Sequence, residues 1–203
     1  MGKKLISILD YEIGNQQSVM NSINSLGYSG RVTKDINELE ESDLIILPGV
    51  GTFCKAMKSL EKYKLNNFLK DYALNKRPLI GICLGMQLLA DFSNEIVKTE
   101  GLGIIPGWVD SIKNPKWHIG WNNIDVEENS CLKKFDKYEL YFNHSFTYKC
   151  AQEIIQAACS VGNENKNIVA CVKKYKTIGL QFHPEKSQII GSLLLESLLN
   201  QLI

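Results

Sequence analysis

No stretch of the 203-residue chain is apolar for long enough to cross a bilayer; runs such as Leu44–Leu47 and Leu79–Ile82 are only strand-length. Neither sign of charge prevails. Lys plus Arg number 23 and Asp plus Glu 22, a net charge of +1, which gives no electrostatic reason to expect nucleic acid or an anionic membrane as partner. The six cysteines contain no C-x-x-C pair and, with the three histidines, no grouping at zinc-ligand spacing, so no metal is expected. Behind the basic Lys3-Lys4 pair lies only a strand-length apolar run, so a secretory leader is not expected, and without one a disulfide framework is not either. There is no internal repeat, low-complexity tract or long linker. What is present, 44% apolar and 22% charged residues, is the composition of a cytoplasmic globular protein, expected as one domain over residues 1–203.

The first half alternates strand and helix signals. Leu5–Leu9 reads as a buried strand. A helix from about Asn15 to Leu26 follows, with Val19, Ile23 and Leu26 on one face and Gly27 as its stop. Asp43–Leu47 is a second apolar strand, ended by Pro48-Gly49. A helical stretch from Thr52 to Leu74 is broken near Tyr63, and Pro78–Cys83 then runs straight into another helix. Such alternation predicts parallel βαβ units. The second half changes character: Gly107–Ile112, His118–Val126, Glu139–Phe146, Glu153–Ser160, Ile168–Tyr175 and Thr177–Phe182 read as antiparallel strands or hairpins, closed by a helix over Ser187–Leu202. The expected fold is three-layer α/β: a central, mostly parallel sheet flanked by helices, with an antiparallel β extension.

Five of the cysteines read as small core hydrophobes. Cys83 stands apart, because Gly81-Ile82-Cys83-Leu84-Gly85 has the form G-x-C-x-G between a strand and a helix, a nucleophile elbow with sulfur in place of oxygen. The glycines permit a sharp turn that raises Cys83 above the sheet edge. The helix beginning there favours thiolate over thiol, and the N–H of Leu84 points to where an oxyanion would form. A buried, glycine-flanked structural cysteine fits the motif alone equally well.

A nucleophile needs a base. His183 follows an apolar strand in Gln181-Phe182-His183-Pro184-Glu185, and Glu185 lies two residues on, across a proline, where it can orient the imidazole. His144 lacks an adjacent carboxylate, and His118, between Trp117 and Ile119, reads as a packed or interface residue. His183 is therefore the expected base. Pro48-Gly49-Val50-Gly51 is poor as a phosphate loop, having no third glycine and no Lys-Ser/Thr, but suits a second backbone donor to an oxyanion beside Leu84.

Gly81-Ile82-Cys83-Leu84-Gly85-Met86-Gln87 together with Phe182-His183-Pro184-Glu185 resembles the class I, triad-type glutamine amidotransferases over essentially the whole chain, with a flavodoxin-like fold. Within that class the chain is similar to the glutaminase subunits of imidazole glycerol phosphate synthase. The similarity runs through Asp10-Tyr11, Gly14-Asn15, Pro48–Gly51, His118-Ile119-Gly120-Trp121-Asn122, Tyr141-Phe142, His144-Ser145 and His183–Ser187. Glu12 stands where small residues are usual, and Gln16-Gln17 where Leu-Arg is typical.

The resemblance implies hydrolysis of L-glutamine through Cys83, His183 and Glu185, with Val50, Gly51 and Leu84 forming the oxyanion hole. It places Gly51, Gln87, Ser145 and Phe146 around the substrate and Asn15, Trp121, Tyr141 and Lys186 against a cyclase subunit that receives ammonia in histidine biosynthesis. No cofactor is implied. Similar paralogues supply ammonia to amidino-sugar enzymes of surface glycans, and the sequence leaves that alternative open.

Overall fold

The structure is a computed structural model that describes residues 3–113, 115–162 and 166–203. Strand β1 (Leu5–Leu9) leads through helix α1 (Gln16–Ser25) to β2 (Ser29–Thr33), and α2 (Ile36–Glu40) precedes β3 (Leu44–Leu47). Helices α3 (Phe53–Lys62) and α4 (Leu65–Leu74) carry the chain to β4 (Leu79–Ile82) and the short α5 (Leu84–Leu88). The break between α3 and α4 falls at Tyr63-Lys64, where Lys64 takes the left-handed conformation (φ +58°). Seven short strands follow: β5 (Phe92–Ser93), β6 (Thr99–Glu100), β7 (Trp108–Ser111), β8 (His118–Asn123), β9 (Asp125–Val126), β10 (Glu139–His144) and β11 (Phe146–Lys149). Then come β12 (Ile155–Val161), β13 (Lys166–Lys174), β14 (Thr177–Leu180) and α6 (Gln188–Leu202).

The main sheet has the order β2-β1-β3-β4-β14-β13-β12-β9. Its first five strands are parallel and the remainder antiparallel, so the parallel sheet with an antiparallel extension is what the molecule has. Alternation along the strands builds two cores. Ile6, Ile8, Leu44, Ile46, Ile80, Ile82, Ile178 and Leu180 face α1 and α6. Ile45, Leu47 and Leu79 face α3 and α4, with Phe53, Leu60 and Leu69 above them.

Three local readings need correction. Thr177–Phe182 does not lie in a purely antiparallel region: β14 is antiparallel to β13 but parallel to β4, and so is the seam between the halves. Glu139–Phe146 is two strands, because β10 pairs with β8 and, past Ser145, β11 pairs with β7 in another sheet. His118–Val126 is likewise divided, β8 pairing with β10 while β9 joins the main sheet. Among the described residues no helix is long and apolar enough to cross a membrane.

Candidate active site

The parallel strands β3 and β4 and the end of β14 deliver their following turns to one edge of the sheet, where α/β folds place their sites. After β4, Cys83 adopts φ +56° and ψ −110°, a conformation costly for any residue with a side chain. Both flanking glycines are needed for close approach. A Cβ on Gly81 would sit 2.6 Å from the Gly85 carbonyl oxygen, and one on Gly85 only 1.8 Å from that of Leu47. The turn after β3 packs onto this elbow, since a Cβ on Gly49 would lie 2.8 Å from the Gly85 nitrogen, and Gly51 has φ +92°. Tyr11, fully buried, ties that turn down by donating to the Pro48 carbonyl at 2.6 Å.

After β14 the chain enters a tight turn over Pro184–Lys186. His183 Nδ1 donates to Glu185 Oε1 at 2.8 Å, which leaves the other ring nitrogen to pair with the Cys83 thiol. Both side chains are almost wholly buried, at 4% and 2% exposure. Burial acts to lower the His183 pKa, but the adjacent Cys83 thiol and the Glu185 carboxylate outweigh it and raise the imidazole to about 9. At neutral pH the imidazole is therefore protonated and sets a positive charge beside the Cys83 sulfur.

A cavity of about 210 Å³ opens between these turns. Val50, Gly51, Cys83, Leu84, Gln87, Ser145, Phe146, His183 and Lys186 all line it, and the structure thus brings the predicted catalytic, oxyanion and substrate residues to one place, with Glu185 behind His183. His144, the rival candidate for the base, also lines it, as do Glu95 and Asn143, which the sequence does not single out; Glu95 accepts from the Phe53 N–H at 2.5 Å. Gln87 is buried rather than solvated, and its Nε2 donates to the Phe146 carbonyl (3.2 Å) and to Gln181 Oε1 (3.0 Å).

Of the residues expected at a partner surface, three cluster. Trp121 and Tyr141 meet edge to face at 6.0 Å between ring centroids, and Lys186 Nζ lies 6.0 Å from the Tyr141 centroid. Asn15 caps α1, accepting from the Ser18 N–H at 3.3 Å, and α1 packs beside the Pro184–Lys186 turn. Glu12 has φ +65°, which accounts for a small residue being usual there. Its carboxylate is held by Lys62 at 3.0 Å and by the Tyr63 hydroxyl. Gln16 donates to Asp10 at 3.3 Å.

A family model described as glutamine amidotransferase class-I matches residues 7–194. The chain belongs to this family. It is 38% identical over 192 residues to the imidazole glycerol phosphate synthase subunit HisH of Listeria monocytogenes, covering 92% of this chain and 91% of that one. To the subunit of the same name from Lactococcus lactis it is 39% identical over 203 residues, covering 98% and 100%. Among solved structures, PurLQS from Thermotoga maritima shares the fold at a TM-score of 0.79, with 20% identity and full coverage of both chains.

Two further histidines of this amidotransferase are buried beside the cavity. His144 and His118 are both held down to about 4, chiefly by desolvation. The sign follows directly. Between the ordinary value of 6.5 and about 4 the unfolded chain binds protons that the folded chain does not. The contribution of these two rings to stability is therefore full above pH 6.5 and falls as pH drops through this window. Thermal unfolding midpoints measured from pH 7 to 4 are expected to decline, less steeply in His118→Gln than in the parent.

Proposed function

We propose that the chain is the glutaminase subunit of an imidazole glycerol phosphate synthase, hydrolysing L-glutamine and passing ammonia to a cyclase subunit in histidine biosynthesis. The convergence of Cys83 with the His183–Glu185 pair on one cavity, in a class-I glutamine amidotransferase, carries this reading. The Cys83 thiolate attacks the side-chain amide carbon of glutamine. The oxyanion is held by the N–H of Leu84, which as the first residue of α5 has no intrahelical acceptor, and by the Val50–Gly51 turn. Imidazolium His183 gives its proton to the departing ammonia and leaves a γ-glutamyl thioester. His183 then takes a proton from water, whose oxygen attacks the thioester; the Cys83 sulfur leaves as thiolate, glutamate departs, and the thiolate–imidazolium pair is restored. Glu185 keeps the ring oriented and stabilises its charged form.

Free release of ammonia would waste glutamine, and the glycine-rich Pro48–Gly51 turn offers a means of restraint, since such backbone can present either a carbonyl or an N–H to the substrate. One oxyanion donor is worth about 10²–10³ in rate. Trp121, Tyr141 and Lys186, next to His183, and Asn15 on α1 form the docking surface in this reading. Glu12, held by Lys62 at a position where small residues are usual, leaves the partner's identity open to one second reading, an amidino-sugar synthetase. Glutamate release is expected to be low for the isolated chain and to rise by about 10²–10³ with the cyclase subunit and its ligand. Full activity alone would end the gating idea. Activation only by the sugar enzyme would end the histidine assignment.

A further inference from the structure

The hydrogen bonds around Gln87 continue in both directions, and two backbone carbonyls, which can only accept, fix the sense of every one. At the outer end Asn122 Nδ2 donates to the Ser160 carbonyl at 2.9 Å, so the amide group facing His118 Nε2 at 3.1 Å is also the donor. His118 Nε2 must accept, its proton lies on Nδ1, and it donates to His144 Nε2 at 3.0 Å. His144 in turn carries its proton on Nδ1 and donates to the Phe146 carbonyl at 2.7 Å. The same carbonyl accepts from Gln87, which orients that amide and obliges Gln181 to present its oxygen to Gln87. The Nε2 of Gln181 is thereby turned toward Cys83 Sγ, 3.9 Å away.

We propose that Gln181 is a positioning residue for the nucleophile: its amide N–H, aimed through Gln87 by the Phe146 carbonyl, on which the Asn122–His118–His144 arm also converges, stabilises the Cys83 thiolate. Gln181 is fully buried and does not line the cavity, so it acts on sulfur and not on substrate. A flipped Gln181 would turn an oxygen toward the thiolate and an N–H toward the N–H of Gln87, two repulsive contacts made by a fully buried amide. Both histidines are neutral in this arrangement, in keeping with the low values that burial gives them. The proposal leans on the glutaminase reading only in taking Cys83 as the nucleophile.

The test reads the thiol without turnover. Alkylation of Cys83 by iodoacetamide, followed on its peptide by mass spectrometry across pH 5–10, reports the thiolate fraction. Removing a hydrogen bond to a charged group shifts such a titration by about one pH unit, so Gln181→Leu is expected to move the Cys83 profile upward by that much. Gln181→Glu, of the same size, moves it the same way by more. The other titratable groups facing the thiol, His183 with Glu185 behind it, Tyr11, His144, Glu95 and Lys186, are unchanged in both variants. In glutamine turnover, kcat falls while KM stays near the parent value. Profiles of both folded variants that superimpose on the parent overturn the proposal. A parent that alkylates as described yet does not hydrolyse glutamine would refute the glutaminase reading and leave this one standing.

Discussion

Cys83→Ala is expected to lower glutamine hydrolysis by at least ~10³-fold while leaving the fold intact. The size follows from the role proposed for sulfur: without it no thioester forms, and what remains is the catalysis that a binding cavity and an oxyanion hole give to water. The fold survives because alanine has the same Cβ as cysteine. At φ +56° it bears the strain that Cys83 already bears, and the Gly81 and Gly85 contacts are untouched. Cys83→Gly separates the two effects, since it relieves a backbone conformation worth about 1–3 kcal/mol and is expected to be inactive yet more stable than the parent. Cys159→Ala and Cys171→Ala provide the contrast. Both thiols are buried in the core on the α6 side of the sheet, and burial pushes the Cys159 thiol up to about 12, so neither is a nucleophile. Their losses should track thermal stability alone. Glutamate release measured on the four variants, with unfolding midpoints, decides the matter, and near-normal turnover by Cys83→Ala would remove the central claim.

How much of this was legible depends on where each signal lies. The buried parallel strands announced themselves as short apolar runs, and the G-x-C-x-G elbow was readable because its glycines answer contacts made within one strand–turn–helix unit. Strand β2 was not readable. Ser29-Gly30-Arg31-Val32-Thr33 is a polar edge strand paired only with β1, and of its five residues only Thr33 is buried. The split at Ser145 was hidden because inward-facing Leu140, Phe142 and His144 alternate without interruption up to it, while the change of sheet depends on partners far away. Gln181 shows the same limit at the site. Its partners Gln87 and Cys83 lie 94 and 98 residues earlier, and only the parallel pairing of β14 with β4 brings them together. Spacing placed Gln87 on the side of Cys83, but a helical glutamine one turn on reads equally as solvent-facing until β11 covers it.

The choice of base gives the other large effect. His183→Ala is expected to cost nearly as much as Cys83→Ala, ~10³-fold or more, because in the proposed mechanism the same ring delivers the proton to ammonia and then activates water. Glu185→Gln should be milder. The amide keeps a partner for Nδ1 but loses the charge that supports the imidazolium, so the proton still has a carrier. His144→Ala should retain far more activity than His183→Ala: its Nδ1 proton is committed to the Phe146 carbonyl, its Nε2 to His118, and it is held neutral at about 4. A ring with both nitrogens engaged has none left for a substrate. Stability supplies a second readout that needs no turnover. The folded-state value of His183, about 9, lies above the unfolded 6.5, so the pairing with Glu185 and Cys83 stabilises the fold fully below pH 6.5 and its contribution disappears as pH rises through about 9. Unfolding midpoints of the parent should therefore drop between pH 7 and 10, and those of His183→Ala should drop less. If His144→Ala were the inactive variant and His183→Ala the active one, the base would be the wrong histidine; if both lost the alkaline drop equally, the imidazolium assigned to His183 would be misplaced.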